Sequence, residues 1–209
     1  PLSIAKGITG VREMWGCPSL ADSFVACGED IERWRAGLQD HSHLAPRYIM
    51  RSSFAINGER GVPSAALAFF KARNADEAQA LAAHHAAEGV DLLKTYTDVS
   101  VSAYGALAAE ASRHGLLVAG HLPVRVPLGM ALAAGQHSVE HPRIFLFECY
   151  RGAAEFRALP DPIAAYTADM RLRFIDEHDP VRCAELMTAM AASDTWWTPT
   201  LQVLRMSAL

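Results

Sequence analysis

The sequence contains no hydrophobic stretch long enough to cross a lipid bilayer, since a spanning helix needs about 20 apolar residues in a row. It also has no marked excess of charge of one sign, because the 209 residues carry a formal net charge of -4. A protein that binds nucleic acid or an anionic membrane surface usually carries a clear excess of Lys and Arg. The composition therefore argues against nucleic acid and membranes as partners.

Cysteine is scarce and shows no pattern. The four cysteines are widely spaced, and no Cys-x-x-Cys pair occurs: Cys17, Cys27, Cys149 and Cys183. Such spacing disfavours a thiolate metal site, and we expect buried or unpaired thiols, as in proteins of a reducing compartment. The location of the protein stays open, with the cytoplasm favoured by the cysteines.

The chain also has no initiator methionine and no signal peptide, since it opens on "PLSIAKGITG". It stops soon after a strand-like segment. We therefore expect a piece cut from a longer protein, so that any signal peptide would lie upstream of residue 1.

No low-complexity linker or drop in hydrophobicity divides the chain, and 51% of its residues are hydrophobic. We therefore predict a single domain over residues 1–209. Six short apolar segments, rich in β-branched or aromatic residues, are predicted to be strands buried on both faces. They are residues 8–14, 47–56, 90–96, 116–122, 137–141 and 195–203.

Helical segments alternate with these strands. They are predicted over residues 74–89, 102–115, 126–136 and 179–193. Three of them end on glycine, which suits the left-handed residue after a helix, and the last begins with Asp179 as cap and Pro180 at the first helical position. Repeated βα units indicate an α/β fold with a parallel sheet, either doubly wound or a (β/α) barrel. No Gly-x-Gly-x-x-Gly follows a strand, so dinucleotide binding has no support.

Three chemically active side chains fall at the ends of successive predicted strands. Lys94 lies within "VDLLKTY", His121 ends "LLVAGH", and His141 ends "HSVEH". Polar residues at the carboxyl ends of parallel strands favour the barrel, because barrels carry their chemistry at that end. In a barrel the three side chains would converge on one mouth.

The residue types indicate a metal site. A neutral imidazole is a good zinc ligand, whereas an ammonium group is not a ligand at all. Lysine can join such a site if carbon dioxide adds to its amine and forms a carbamate. Two alternatives stay open for Lys94: a structural lysine that pairs with Asp91 or extends to solvent, and a Schiff-base lysine. The two histidines could also be core residues.

Five sequence blocks, taken in order, resemble the amidohydrolase superfamily, and most closely its imidazolonepropionase- and prolidase-like branch. The likeness runs from about residue 6 to residue 202, over "GITGVREMWG", "DLLKTY", "LVAGHLP", "ALAAGQHSVEHP" and "WWTPTL". The resemblance implies a partial (β/α)8 TIM-type barrel, roughly strands two to seven and incomplete at both ends. It also implies that Lys94 is a carboxylated lysine bridging two divalent ions, with zinc expected, and that His121 and His141 are ligands.

The implied activity is hydrolysis of an amide or peptide-like C–N bond by a metal-bound hydroxide at this binuclear site. The substrate would be a small amide or dipeptide-like molecule. The family's first-strand His-x-His should lie upstream of the chain, and its acidic catalytic residue beyond it, so the catalytic residue is unknown here. The chain's own His-x-His, at residues 41–43, follows the first predicted strand and is interpreted as a loop.

A second hypothesis belongs to another class. The chain would be a catalytically inactive barrel fragment that acts as a binding or assembly module, because an open barrel exposes two sheet edges that can pair with another chain. Because such edges can also pair between copies of the same chain, a homo-oligomer is a further alternative.

Several side chains are candidates for substrate binding or support. Tyr96 shares a strand face with Lys94, and its hydroxyl could reach a substrate. Residues 147–174 form a long segment that we expect to shape specificity, and Arg143, before it, and Arg151, within it, are candidates for binding a substrate carboxylate. Arg12 and Glu13 could form a buried pair. Glu140 alternates away from His141 and is interpreted as support rather than a ligand.

Overall fold

Parallel β-structure organises the chain. The computed structural model describes residues 2–17, 27–59 and 70–207. Its strands are β1 (Gly10–Arg12), β2 (Arg47–Met50), β3 (Ile56–Asn57), β4 (Phe70–Lys71), β5 (Leu92–Thr95), β6 (Leu117–Gly120), β7 (Gln136–Glu140) and β8 (Trp196–Thr198).

Helices follow or connect the strands. They are α1 (Leu2–Ala5), α2 (Gly28–Gln39), α3 (Ala75–Ala87), α4 (Val101–Arg113), α5 (Leu128–Ala133), α6 (Arg143–Glu148), α7 (Ala153–Arg157), α8 (Ala168–Asp176), α9 (Pro180–Ala191) and α10 (Leu201–Ser207). Among the described residues, no helix is both long and apolar enough to cross a membrane.

Six strands form one parallel sheet in the order β4-β3-β5-β6-β7-β8, while β1 and β2 form a separate parallel pair. All four residues of β5 are buried. Such burial on both faces is what a parallel sheet covered by helices requires, and it explains the continuous apolar character of these segments. The predicted α/β class with a parallel sheet is confirmed.

The four predicted helices are confirmed, and local chemistry sets their ends, although the third is shorter than predicted, at Leu128–Ala133. The Asn74 side chain accepts a hydrogen bond from the backbone N–H of Glu77 at the start of α3. The Asp179 carboxylate does the same for the first turn of α9, with Pro180 following it. Gly89, Gly115 and Gly135 adopt positive φ after α3, α4 and α5. Each cap satisfies backbone groups that the helix leaves unpaired.

Two strand predictions were wrong in extent. The segment 47–56 does not form one strand: β2 pairs with β1, while β3 joins the main sheet. The segment 195–203 stops being a strand at Thr198, because Pro199 cannot donate to a ladder and Thr200 adopts a positive φ of 49°. The chain then turns into α10.

The expectation of unpaired thiols was also wrong. Cys17 is disulfide-bonded to Cys27, and Cys149 to Cys183, and the described cysteines include no free thiol. The second bond joins residues 34 apart in sequence, whose Cα atoms lie 4.6 Å apart because the end of α6 packs beside α9. Sequence spacing carries no sign of this contact. The cysteines consequently give no support to a reducing compartment.

The long segment after β7 forms its own apolar cluster. α6, α7 and α8 pack around the fully buried ring of Phe174, which contacts Phe147, Tyr150 and Phe156. Buried aromatic rings of this kind contribute large apolar contact areas. The segment is therefore a folded subdomain beside the carboxyl end of the sheet rather than an extended loop.

A buried hydrogen bond between α4 and β7 offers a test of this core. The Tyr104 hydroxyl donates to Gln136 Oε1 at 2.8 Å, and both residues are buried. We expect Tyr104→Phe to lower the free energy of unfolding by about 1–2 kcal/mol, because the Gln136 carbonyl loses its donor inside the core. Tyr48→Phe, at a half-buried position of β2, is the matched control and should change it by less than about 0.5 kcal/mol. Urea unfolding followed by circular dichroism measures both, and equal effects would contradict the prediction.

Candidate functional site

Lys94 lies within the most buried part of the sheet. It is the third residue of β5, pairs in register with Ala119 of β6, and exposes 6% of its surface. Its ammonium nitrogen lies 4.8 Å from the centre of the Trp15 ring. A buried lysine needs a compensating partner, and the ring face provides part of that compensation.

The two histidines follow the neighbouring strands. His121 comes directly after β6, and its backbone N–H donates to Thr95 O of β5 at 3.0 Å. His141 comes directly after β7, and its backbone N–H donates to Thr198 O at 2.8 Å. The backbone of each histidine is thus fixed by the adjacent strand, which limits where each imidazole can lie.

His141 adopts a left-handed backbone conformation, with φ of 73°. Its carbonyl accepts a hydrogen bond from the Trp197 indole at 2.9 Å, and its Nδ1 lies 3.2 Å from Thr200 Oγ1. A non-glycine residue in this conformation is strained, and such strain concentrates at functional sites. The surrounding contacts hold His141 in place against that cost.

One open pocket of about 610 Å³ brings the predicted residues together. Lys94, Tyr96, His121 and His141 all line it. The His121 ring centre lies 4.2 Å from that of Tyr96 and 4.5 Å from that of His141. This volume is within the range of small-molecule sites, so a ligand of dipeptide size has room to enter. The roles of these side chains as ligands stay predictions.

The electrostatics of Lys94 follow from its burial. Removal from water lowers the pKa of its ammonium group below the usual range, while the Glu13 and Glu140 carboxylates act in the opposite direction. The alternative in which Lys94 pairs with Asp91 was wrong. The Asp91 carboxylate instead accepts a hydrogen bond from the Arg51 backbone N–H and lies 3.4 Å from the Arg35 guanidinium group. Burial thus gives Lys94 a larger neutral fraction than an exposed lysine has.

Arg12 connects the small sheet to the large one. Its guanidinium lies 3.0 Å from Glu140 Oε1 and donates to Ser138 Oγ at 2.8 Å. The Ser138 hydroxyl in turn donates to Glu140 at 2.6 Å. The prediction that Arg12 pairs with Glu13 was wrong, because the guanidinium reaches a strand 128 residues away instead.

Glu13 orders the turn that carries Trp15. Its carboxylate accepts the backbone N–H groups of Trp15 and Gly16, at 2.5 and 2.9 Å. Gly16 is required there: its φ is positive, and a Cβ would lie 2.2 Å from the Phe54 nitrogen. Glu13 therefore helps to position the Trp15 ring over Lys94.

The remaining predicted residues lie elsewhere. Arg143 is the first residue of α6, and its side chain lies outside the described part of the chain. Arg151 is exposed in the turn after α6 and is not among the described residues that line the pocket. His41 and His43 are exposed near the end of α2, as interpreted from the sequence.

Sequence reasoning missed part of the pocket wall. Trp15, Tyr166, Arg171 and Thr200 also line it. Tyr166 and Arg171 belong to the segment expected to shape specificity, so the segment was identified but its contributing residues were not. Two further groups of metal-ligand side chains lie outside the pocket: Cys149, His178 and Cys183, and His84, His85 and Glu88.

Comparison with known proteins identifies the fold. No protein-family model and no curated protein matches the sequence. Among solved structures, bottromycin amidohydrolase matches 90% of this chain with a TM-score of 0.53 and 19% identity, over 48% of its own chain. A protein of Bifidobacterium longum described as a prolidase matches 93% with a TM-score of 0.52 and 16% identity, over 52% of its chain. A third structure, described as an amidohydrolase, matches 94% of this chain with a TM-score of 0.51 and 16% identity, over 55% of its own chain.

These matches confirm the sequence resemblance at the level of the fold. The chain has the fold of part of these amidohydrolases, and it spans about half of the length of the solved structures it matches.

Gly120 offers a test of how tightly the site is built. It adopts a φ of 115°, and a Cβ there would lie 2.5 Å from Thr95 O and 3.1 Å from Lys94 Cγ. We expect Gly120→Ala to lower the free energy of unfolding by about 2 kcal/mol or more, through strain and displacement of β5.

Gly129→Ala is the matched control. A Cβ at this position in α5 meets nothing within 4 Å. Alanine should stabilise the helix there by up to about 1 kcal/mol. Thermal unfolding of the two variants should therefore shift in opposite directions, and a stabilising Gly120→Ala would show that the strands are not held as described.

Proposed function

We propose that this chain is a large part of a metal-dependent hydrolase of the amidohydrolase superfamily, which cleaves an amide or peptide-like C–N bond. The observation that carries the proposal is the meeting of Lys94, His121 and His141 in one pocket, from the ends of three neighbouring parallel strands. The shared fold with bottromycin amidohydrolase and with the prolidase-like protein supports the same reaction class.

The fold would be a partial (β/α)8 barrel, roughly strands two to seven. Its support is the all-parallel six-stranded sheet, in which the polar site lies at the carboxyl ends of the strands. The bond from Arg12 to Glu140 adds to this, because it joins β1 to the interior of the larger sheet.

The described residues fit a metal site of two divalent ions, with zinc expected. Two imidazoles with ring centres 4.5 Å apart provide nitrogen ligands. A bound ion supplies Lewis acidity, which polarises an amide carbonyl and makes water a nucleophile near neutral pH. No carboxylate is among the described residues that line this pocket. The acidic residue that moves the proton would then come from another part of the protein.

Lys94 would complete the ligand set as a carbamate. Its lowered pKa increases the fraction of neutral amine. The nitrogen lone pair adds to carbon dioxide, one proton leaves the nitrogen, and the product is an anion that ligates as a carboxylate does. The modification would also replace a poorly solvated cation with an anion that can hold a metal ion, which would account for a buried lysine at this position.

The pocket suits a substrate with a carboxylate, such as an acyl-amino acid or a dipeptide. Arg171 lines the pocket from α8 and can pair with such a group, and the Tyr96 hydroxyl can donate to the substrate. Arg143 and Arg151 remain candidates for the same role. Trp15 and Tyr166 would contribute apolar walls beside the reacting bond.

Metal content tests the proposed site. In protein with both disulfides intact, we expect near-stoichiometric zinc or a similar ion by elemental analysis. Lys94→Ala and His121→Ala should each weaken metal binding by at least about tenfold, the lower end of the cost reported for outer-shell partners. Bicarbonate should increase metal uptake by the parent and not by Lys94→Ala, because the carbamate needs the amine.

His114→Ala is the matched control. His114 ends α4 before β6, at the opposite end of the sheet from the pocket, and pairs with Glu110 at 2.9 Å. It should keep the metal content of the parent. If Lys94→Ala and His121→Ala also kept it, the three residues would not form one site.

A second candidate function is a catalytically inactive binding or assembly module. The specific observation in its favour is the exposed end of the sheet: β8 is an edge strand in which Trp196 is 70% exposed. Leu201 and Met206 of α10 are also largely exposed. An apolar sheet edge of this kind can pair with another chain.

Sedimentation equilibrium tests this second function. If the β8 edge is an interface, the mass will increase with protein concentration. Trp196→Lys should then weaken association by about thirtyfold, since buried interface tryptophans contribute about 2 kcal/mol or more. Leu172→Lys, an exposed apolar position on α8, should have no comparable effect. A monomer at all concentrations would rule out self-association through this edge.

A further inference from the structure

A second cluster of metal-ligand side chains lies away from the pocket. Cys149 follows α6, His178 lies between α8 and α9, and Cys183 is in the first turn of α9. One ligand atom from each, two sulfurs and an imidazole nitrogen, lies within 4.8 Å of the others. Cys149 is fully buried, Cys183 is half-buried and His178 is exposed, so an ion could enter from the His178 side.

Backbone contacts join the same segments as the disulfide, and the Cys183 N–H donates to Asp179 O at 2.9 Å. The Asp179 N–H donates to Cys149 O at 2.8 Å, and the Arg151 N–H donates to Glu177 O at 3.1 Å. Tyr150 and His178 form an antiparallel bridge between these two bonds. The side chains should therefore stay close to one another when the S–S bond is broken.

A buried polar contact anchors the same region. The Arg182 guanidinium donates to Glu148 O at 2.7 Å, next to both cysteines in sequence. The Glu148 carboxylate pairs with the largely buried Arg157 of α7. The ion pair thus fixes the end of α6 against α7, and the Arg182 hydrogen bond links the end of α6 to the start of α9 in addition to the disulfide.

From this geometry we propose that Cys149, His178 and Cys183 form a redox-dependent site for a borderline divalent ion such as zinc. Two thiolates and one imidazole are ligands that zinc prefers, and a water molecule can fill the fourth tetrahedral position. The site is distinct from the pocket and independent of the function proposed for it. It also revises the sequence interpretation, which disfavoured a thiolate metal site.

A dithiol can serve as the reductant that converts the disulfide form of the site into the metal-binding form. The dithiol gives two electrons and two protons, the Cys149–Cys183 S–S bond breaks into two thiols, and the dithiol becomes a cyclic disulfide. Binding of the ion then releases the two thiol protons to water. Zinc–sulfur bonds of about 2.3 Å hold two sulfurs about 3.8 Å apart, a separation that side-chain rotation can provide.

Both states would clamp α6 to α9. α6 follows His141 and Pro142 directly, and its Leu146 lines the pocket. Phe147 of α6 packs in the same apolar cluster as Tyr166, which also lines the pocket. The disulfide under oxidising conditions, and the metal ion under reducing ones, would therefore preserve the same pocket wall.

Cobalt titration of the reduced protein tests the proposal. The protein is treated with a dithiol under anaerobic conditions, the dithiol is removed, and Co²⁺ is added. We expect a thiolate-to-cobalt charge-transfer band that saturates at one ion per chain and is absent before reduction. The pocket contains no thiolate among its described residues, so this band cannot come from the pocket. Reduction also frees Cys17 and Cys27, which a variant must exclude as the source.

Variants assign the band to the three residues. Cys149→Ser should abolish it, and His178→Ala should weaken Co²⁺ binding by at least about tenfold. A variant with both Cys17→Ser and Cys27→Ser should keep it. The proposal is overturned if the reduced parent gives no band, or if His178→Ala binds Co²⁺ as tightly as the parent.

Circular dichroism covers the case in which reduction unfolds the protein. Zinc should then restore the native spectrum of the reduced parent and raise its unfolding temperature, and it should do neither in His178→Ala. Reduced protein that stays unfolded with zinc would also overturn the proposal.

Discussion

The parallel register of β5, β6 and β7 is the constraint on which the site depends. Lys94 pairs with Ala119, and Gly120 pairs with Val139, so the three strands end at the same level. Side chains alternate along a strand, so Lys94 and His121 emerge on one face, and His141 follows from the next strand. A slip of one residue would turn these side chains away from the pocket. Gly120 protects the register by allowing the backbones of β5 and β6 to approach closely.

Charge compensation is the second requirement of this arrangement. The core near the pocket contains Lys94, and Glu140 lies close by with Arg12 as its partner. Glu140 is thereby paired within the sheet, while Lys94 has a ring face and more distant carboxylates. Burial accordingly lowers the pKa of the Lys94 ammonium group, and the nearby carboxylates offset part of that effect. A polar network that satisfies one charge and leaves another available is a common property of functional sites.

The pocket wall opposite the sheet has a different origin. It includes Leu146 of α6, Tyr166 just before α8 and Arg171 of α8, which belong to the segment that packs around Phe174 rather than on the strands. This subdomain is tied to α9 by the bond between Cys149 and Cys183 and by backbone contacts at His178 and Asp179. The geometry of this pocket wall thus depends on a unit that can differ from the sheet in its stability and in its response to redox conditions.

Local chemistry in the sequence determined the βα alternation, the helix caps at Asn74 and Asp179, and the alignment of Lys94, His121 and His141 at strand ends. These features depend on neighbours a few residues away, and such patterns are directly readable. Tertiary structure alone decided that Arg12 pairs with Glu140, that Cys149 bonds to Cys183, and that Trp15 and Arg171 line the pocket. Those contacts join residues that are tens to more than a hundred positions apart in the sequence. They form only because whole strands and helices pack in a particular way, and no local sequence pattern specifies that packing.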